Sequence, residues 1–334
     1  MDNIESQVTP IPPNLIASLR NGFDAVANQI VIIIIPIAID LLLWLGPHYQ
    51  LKTIINDIIN LIASAPEMNS VQSGETLLNN LDIFRSAASQ FNLLSVLRTV
   101  PVGIPSLMAA RLPTKIPNGT PVFIDLTNPW LVALLWITLI VIGLISGCFY
   151  FNLVVQAALG GKIEWRKVVG NWYWSFLQVL SLSLALLLLF LAVSLPSSCA
   201  ISAMALFGLP LGQFAIFLYI GILLWLAFPL LFSAHGIFVN HNNVLTSVQK
   251  SILMTRMTLP TTALFILSIL VISEGMNVLW RVPVETSWLT LIGVAGHAFI
   301  TSALLAASFV YYRDADHWTQ DMMVKIKARS TQPL

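Results

Sequence analysis

From Trp130 to Asn152 no charged side chain interrupts the chain, and the same is true from Tyr173 to Leu195 and from Leu211 to Ser233. A helix needs about 20 apolar residues to cross a bilayer core of roughly 30 Å. Each of these runs is long enough, and so are 28–46, 261–280 and 288–312. No soluble core accounts for them. Charged residues are 9% of the chain and apolar residues 57%, against about 25% charged in an ordinary soluble domain. The polar surface is too small to cover such a core, so the excess must face lipid or other subunits. The expectation is an all-α, polytopic transmembrane helical bundle, one membrane domain over 1–334 with spans near 28–46, 130–152, 173–195, 211–233, 261–280 and 288–312.

The basic residues set the expected topology. Arg20, then Lys162, Arg166 and Lys167, then Lys250 and Arg256, then Arg313, Lys325, Lys327 and Arg329 fall on alternate sides of successive spans. Short segments rich in Lys and Arg stay in the cytoplasm, so both termini are expected there. The apolar run 200–233 exceeds one span, and a seventh span is the alternative. It would place 196–210 across the membrane and break the alternation. The first run is too long for a signal-peptide core and is expected as a retained span after a short polar lead. Cys148 and Cys199 fall toward opposite faces, which makes a bridge between them unexpected.

The long segment 47–129 lies outside in this scheme, as a helical cap or surface insertion. Ile54, Ile55, Ile58, Leu61 and Ile62 recur at helical spacing, and Leu77, Leu78, Leu81, Phe84, Ala88, Phe91 and Leu94 do so again. From Pro101 to Pro129 repeated prolines and Gly119 predict irregular packed chain. Asn118-Gly119-Thr120 has the form of a glycosylation sequon, a pattern common by chance.

Two parts of the chain echo each other. Span two ends at Ala157-Ala158-Leu159-Gly160, continues through Lys162 to Val169, and re-enters at Asn171-Trp172-Tyr173-Trp174. Span four ends at Ser233-Ala234-His235-Gly236, continues through Val239 to Met257, and re-enters at Pro260. Each reads as a span, an interfacial cytoplasmic helix and a returning span. Val244, Leu245, Val248, Ser251, Ile252 and Thr255 give the second helix a recurrent face. Lys162, Arg166, Lys167, Lys250 and Arg256 are candidate contacts to lipid headgroups or protein partners. The stretch Ile237-Phe238-Val239, Asn243-Val244-Leu245 and Ser247-Val248-Gln249-Lys250-Ser251, with the span after Leu259, resembles a broad set of bacterial multi-pass membrane proteins. These include the membrane domain accompanying some glycerophosphodiester phosphodiesterases and the YciC-like integral membrane proteins. The resemblance covers about a quarter of the chain, implies a helical domain in the bacterial inner membrane, and carries no catalytic residue over.

Ionisable groups inside a membrane cost at least about 2.5 kcal/mol, so three demand a reason. Asp40, Glu274 and His297 fall at similar depth in spans one, five and six, with Asn277 one turn from Glu274. They form a candidate proton or ion site if the bundle brings them together; otherwise they are structural pairs. Pro36, one turn before Asp40, frees a carbonyl near it. Gly143 and Gly147 form a small-residue face expected to pack on a neighbouring helix. Trp130, Trp172, Trp174, Trp280 and Trp288 fall at span ends, where indoles favour the interface.

The chain has no phosphate loop, dinucleotide fingerprint, His-Glu-x-x-His zinc signature or nucleophile elbow. No catalytic residue, cofactor or metal site is therefore assigned, and the His235 and His241 pair lacks a third ligand. The few basic residues track topology and form no nucleic-acid patch. The leading reading is a noncatalytic accessory, assembly or lipid-organising membrane protein, whose partners are membrane lipids and other proteins or further copies of itself. The alternative is a transporter or channel using the acid and histidine positions; an intramembrane enzyme ranks third.

Overall fold

The computed structural model describes residues 12–64, 85–86, 90–111, 113–206 and 212–330. In chain order its helices are α1 (Leu15–Asn28), α2 (Ile34–Leu45), α3 (Lys52–Ala63), α4 (Met108–Arg111), α5 (Pro129–Gly160), α6 (Trp165–Leu206), α7 (Gly212–Ala227), α8 (Ser233–Asn240), α9 (Val244–Met257), α10 (Leu259–Trp280) and α11 (Thr290–Ser330). Two short strands, β1 (His48–Gln50) and β2 (Phe123–Asp125), pair in parallel. The protein is an all-α helical bundle of the polytopic membrane kind. Among the described residues five helical segments are long and apolar enough to cross a membrane, and a sixth results if α1 and Ile30–Leu45 count as one broken span.

The helices differ from the expected spans where a stop signal was misread. α6 has 42 residues and α11 has 41, about 60 Å each at 1.5 Å per residue, twice the bilayer core. The mixed stretch Lys162 to Val169, expected as a separate interfacial helix, runs from Trp165 onward as the first turn of α6, because Gly170 alone does not end a helix. At the other end α6 runs through Pro196 to Leu206, so 196–206 is neither loop nor new span. Ser197 and Ser198 donate to the carbonyls of Val193 and Leu195 at 2.7 and 2.9 Å, which helps satisfy the backbone around the proline. Gly208 and Pro210 lie outside the described residues, as do Leu77, Leu78, Leu81, Phe84 and Ala88.

The chain divides into two compact units, one of residues 1–29, 151–272 and 303–334, the other of 30–150 and 273–302. The first unit holds α1, which replaces the expected polar lead. Asn14 caps it through Ala17 N at 3.1 Å, and Ser18, Gly22 and Val26 line its buried side. Gly22 lies so close to α11 that a Cβ there would stand 2.6 Å from the Ala303 carbonyl and against Ala307. Ala303 and Ala307, four apart, form the matching small face. Beside this crossing Phe232, Met254, Phe265, Tyr311 and Tyr312 form a buried cluster, with the Phe265 and Tyr311 rings stacked at 4.1 Å.

The second unit shows how the long insertion is held. Its two ends meet in the β1–β2 ladder, with His48 opposite Phe123 and Gln50 opposite Asp125. Asn92 joins the next piece to β1, its Oδ1 accepting from Tyr49 N at 3.2 Å and Leu94 N at 3.1 Å. The backbone of Leu97–Gly103 then lies against α5 at Gly143 and Gly147, where added Cβ atoms would stand 2.6 Å from Leu97 O and 3.0 Å from Val102 O. The small-residue face, expected to receive a neighbouring helix, thus receives irregular chain from the insertion. Gly143 is about 20 Å along α5 from Pro129, so this chain is buried well down the helix, as non-helical backbone in a membrane protein must be. Farther on, Arg111 pairs with Glu285 at 3.0 Å and donates to Pro283 O at 2.7 Å. Trp44, fully buried, donates to Glu285 O at 3.1 Å. Trp280, the last residue of α10, packs over Gly293 and Gly296.

Candidate functional site

Two places bear on function, and the first is the set of ionisable groups. Asp40, one turn beyond Pro36 on α2, is fully buried. Its Oδ1 accepts from Ser106 Oγ at 2.5 Å and Met108 N at 2.9 Å, and its Oδ2 accepts from Leu107 N at 3.2 Å. Ser106 Oγ in turn accepts from Ala109 N at 3.0 Å. The carboxylate caps the start of α4, and the Leu107 and Met108 it holds belong to a buried cluster with Leu43, Trp44 and Val294. His297 is buried, and its Nδ1 donates to Asn277 Oδ1 at 2.9 Å. Its Nε2, then a bare acceptor, has no partner. Glu274 is exposed, with no hydrogen bond or ion pair among the described residues. The structure thus joins His297 to Asn277, gives Asp40 to the insertion, and leaves Glu274 outside both.

The second place is in the first unit, where span four breaks. α7 ends at Ala227, a tight turn of 3-10 helix covers Phe228–Leu230, and α8 begins at Ser233. Pro229 cannot donate a backbone hydrogen bond, which favours the break. Two serines of α9 take the exposed carbonyls: Ser247 donates to Ser233 O at 2.5 Å and Ser251 to Pro229 O at 2.7 Å. A four-residue advance along α9 matches a four-residue retreat along the preceding chain, so the two run antiparallel. Ser247, Ser251, Met254 and Thr255 form the buried face of α9, while Leu245 and Leu253 are exposed. α9 therefore packs its small polar face inward against the broken span. Of the recurrent face read from the sequence, Val244, Leu245, Val248, Ser251, Ile252 and Thr255, the serine and the threonine are buried and Leu245 is exposed.

Beside this break lies a groove of about 730 Å³, within the roughly 300–1,000 Å³ of small-molecule sites. Leu189 of α6, Leu226, Phe228 and Leu230 of the broken span, and Ile252 of α9 supply apolar walls; Thr255 and Arg256 supply its polar end. Thr255 is 1% exposed and its Oγ1 has no partner. Arg256 is exposed and forms no ion pair among the described residues. Of the other basic candidates, Lys250 is half-buried and Arg166 exposed. Lys162 and Lys167 share a smaller recess of about 270 Å³ with Glu164, and Lys167 is paired to Glu164 at 2.8 Å.

The two histidines do not form a pair. His235 donates from Nε2 to Ser308 Oγ at 2.8 Å between the rings of Phe232 and Phe309, whereas His241 is an exposed left-handed residue ending α8. No group of three metal-ligating side chains converges among the described residues. The groove is only partly visible in sequence: Thr255 and Arg256 fall on the expected interfacial helix, while Pro229, which breaks the span, lies in an apolar run that reads as continuous. Compared with protein-family models, curated proteins and solved structures, the chain matches none of them.

Proposed function

We propose that this is a noncatalytic membrane protein that organises lipid and supports an assembly, placed in the bacterial inner membrane with both termini cytoplasmic. The observation carrying this reading is the groove beside α9, which opens among exposed apolar residues and, among the described residues, contains no acidic or histidine side chain. The use of Asp40 as a cap for α4 adds support, because a carboxylate holding three donors is committed to structure. The resemblance around 237–251 to bacterial multi-pass proteins stays part of the proposal.

Purification of the intact protein in mild detergent tests it. Specific lipid and protein partners are expected to co-purify, and reconstituted vesicles are expected to show no ion or solute flux above empty ones. A solitary protein that sustains flux would overturn the reading. One observation favours the transporter alternative, the unpartnered His297 Nε2. That alternative requires Glu274→Gln to abolish pH-dependent flux while the fold survives.

A further inference from the structure

We propose that the groove beside α9 holds one acyl chain of an anionic glycerophospholipid, with the lipid phosphate bound by the Arg256 guanidinium and the Thr255 hydroxyl. The inference rests on the lipid-organising reading and names the ligand of that same site. Its first support is the Thr255 side chain. A helical threonine normally returns its hydroxyl to a carbonyl one turn back. Thr138, Thr258, Thr301 and Thr319 do so here, to Leu134, Met254, His297 and Ala315 at 2.7 to 2.8 Å. Thr255 does not. Thr255 lines the groove, its Oγ1 is buried without a partner among the described residues, and an unmade bond of this kind is unfavourable unless a ligand completes it.

Charge selects the headgroup. Arg256 follows Thr255 directly, and among the described residues no Asp or Glu lines the groove. A phosphate oxygen can accept from the threonine hydroxyl and from the guanidinium, whose planar donors suit phosphate. A choline or ethanolamine cation meets no acid there, so a net anionic headgroup is favoured over a zwitterionic one. The walls select a lipid over a soluble phosphate. Beyond Thr255 and Arg256 they are apolar, and the neighbouring Leu224 and Trp225 are 66% and 72% exposed, a rim suited to acyl chains. Arg256 lies in the last turn of α9, beside the start of α10, where a span ends and headgroups are expected.

The full chain in detergent is mixed with equal amounts of phosphatidylglycerol and phosphatidylcholine, and retained lipid is counted by native mass spectrometry. One phosphatidylglycerol per protein is expected. Arg256→Gln should reduce its retention about tenfold, Arg256→Lys much less, and Thr255→Val a few-fold, in keeping with loss of charge-assisted bonds. Leu230→Trp, which fills the groove, should displace the lipid while the protein's thermal unfolding in detergent, followed by circular dichroism, stays near wild type, showing that the fold is intact. Equal retention of phosphatidylcholine, unchanged retention in Arg256→Gln, or displacement of the lipid by inorganic phosphate would overturn the proposal. Each of those outcomes leaves the functional reading standing. Flux in vesicles would overturn the functional reading and leave the lipid result standing.

Discussion

Removing the Asp40 carboxylate separates a structural from a transport role more cleanly than any other change. Asp40→Ala leaves Leu107 N and Met108 N without acceptors in a buried site, and Ser106 Oγ without its acceptor. Each buried group left unmade costs about 1–3 kcal/mol. The serine hydroxyl can rotate to another acceptor, so the total expected from the two amides is about 2–6 kcal/mol and not the full sum. Asp40→Asn is milder. An amide oxygen in place of Oδ1 keeps Ser106 and Met108, but the amide nitrogen then faces Leu107 N, donor against donor, for a loss of about 1–3 kcal/mol.

Cys148 gives a direct assay, because it is completely buried in the same unit as Asp40. In a Cys199→Ser background, which removes the exposed thiol, a thiol-reactive dye reports unfolding around Cys148 alone. The expected order of melting is wild type, then Asp40→Asn, then Asp40→Ala, with the alanine variant losing most. If both variants melt with the wild type, the carboxylate does not hold the insertion. If Asp40→Asn melts normally yet changes ion flux, the transport alternative is correct.

Other consequences follow from the same contacts. Gly22→Leu drives a side chain into Ala303 and Ala307; overpacking of this sort costs about 1–3 kcal/mol, and the melting temperature should fall while Gly170→Leu, with open space around it, stays near wild type. Ser251→Ala leaves Pro229 O unpaired and should cost about 1–3 kcal/mol, read by thermal unfolding in detergent. His48 is 3% exposed and donates from Nε2 to Leu43 O at 3.1 Å. Burial lowers its pKa below the ordinary 6.5, opposed by the Leu43 bond and by Glu285. The unfolded chain therefore binds the proton more readily than the folded one. His48's contribution to stability is present above pH 6.5 and is lost as pH falls from there toward the folded pKa. Melting curves at pH 7.5 and 5.5 should separate in the wild type, and the separation should shrink in His48→Gln.

The membrane character and most spans were legible because long uncharged runs have few physical alternatives. The ends of α6 were not, since Gly170 and Pro196 look like breaks, while a helix already packed in a bundle can run through either one. The α1 helix has a local signal, since Leu15, Leu19, Gly22 and Val26 recur at helical spacing, but the charges of Arg20 and Asp24, which lie on its exposed side, give the segment the composition of a polar lead. The strands could not be found locally. Three residues at 48–50 and three at 123–125 carry no pattern of their own, and the ladder exists because the rest of the insertion brings its two ends together.

Asp40 and Ser251 show why site chemistry was harder to read than the fold. An acid within an apolar run signals that something must satisfy it, and depth along the span points to other ionisable residues at similar height. The partner was instead a donor-rich turn at Ser106 to Met108, far along the chain and unremarkable in composition. The same holds for Pro229, whose exposed carbonyl is met by Ser251 on a helix that hydropathy assigns to the surface. In a low-dielectric bundle the cost of an unmatched polar group is met by whichever donor the backbone can reach, often a serine or a main-chain amide. Unmatched groups are therefore the more informative ones. By that measure Thr255 Oγ1, buried at the wall of an apolar groove beside an unpaired arginine, says more about function than the three membrane ionisable residues together.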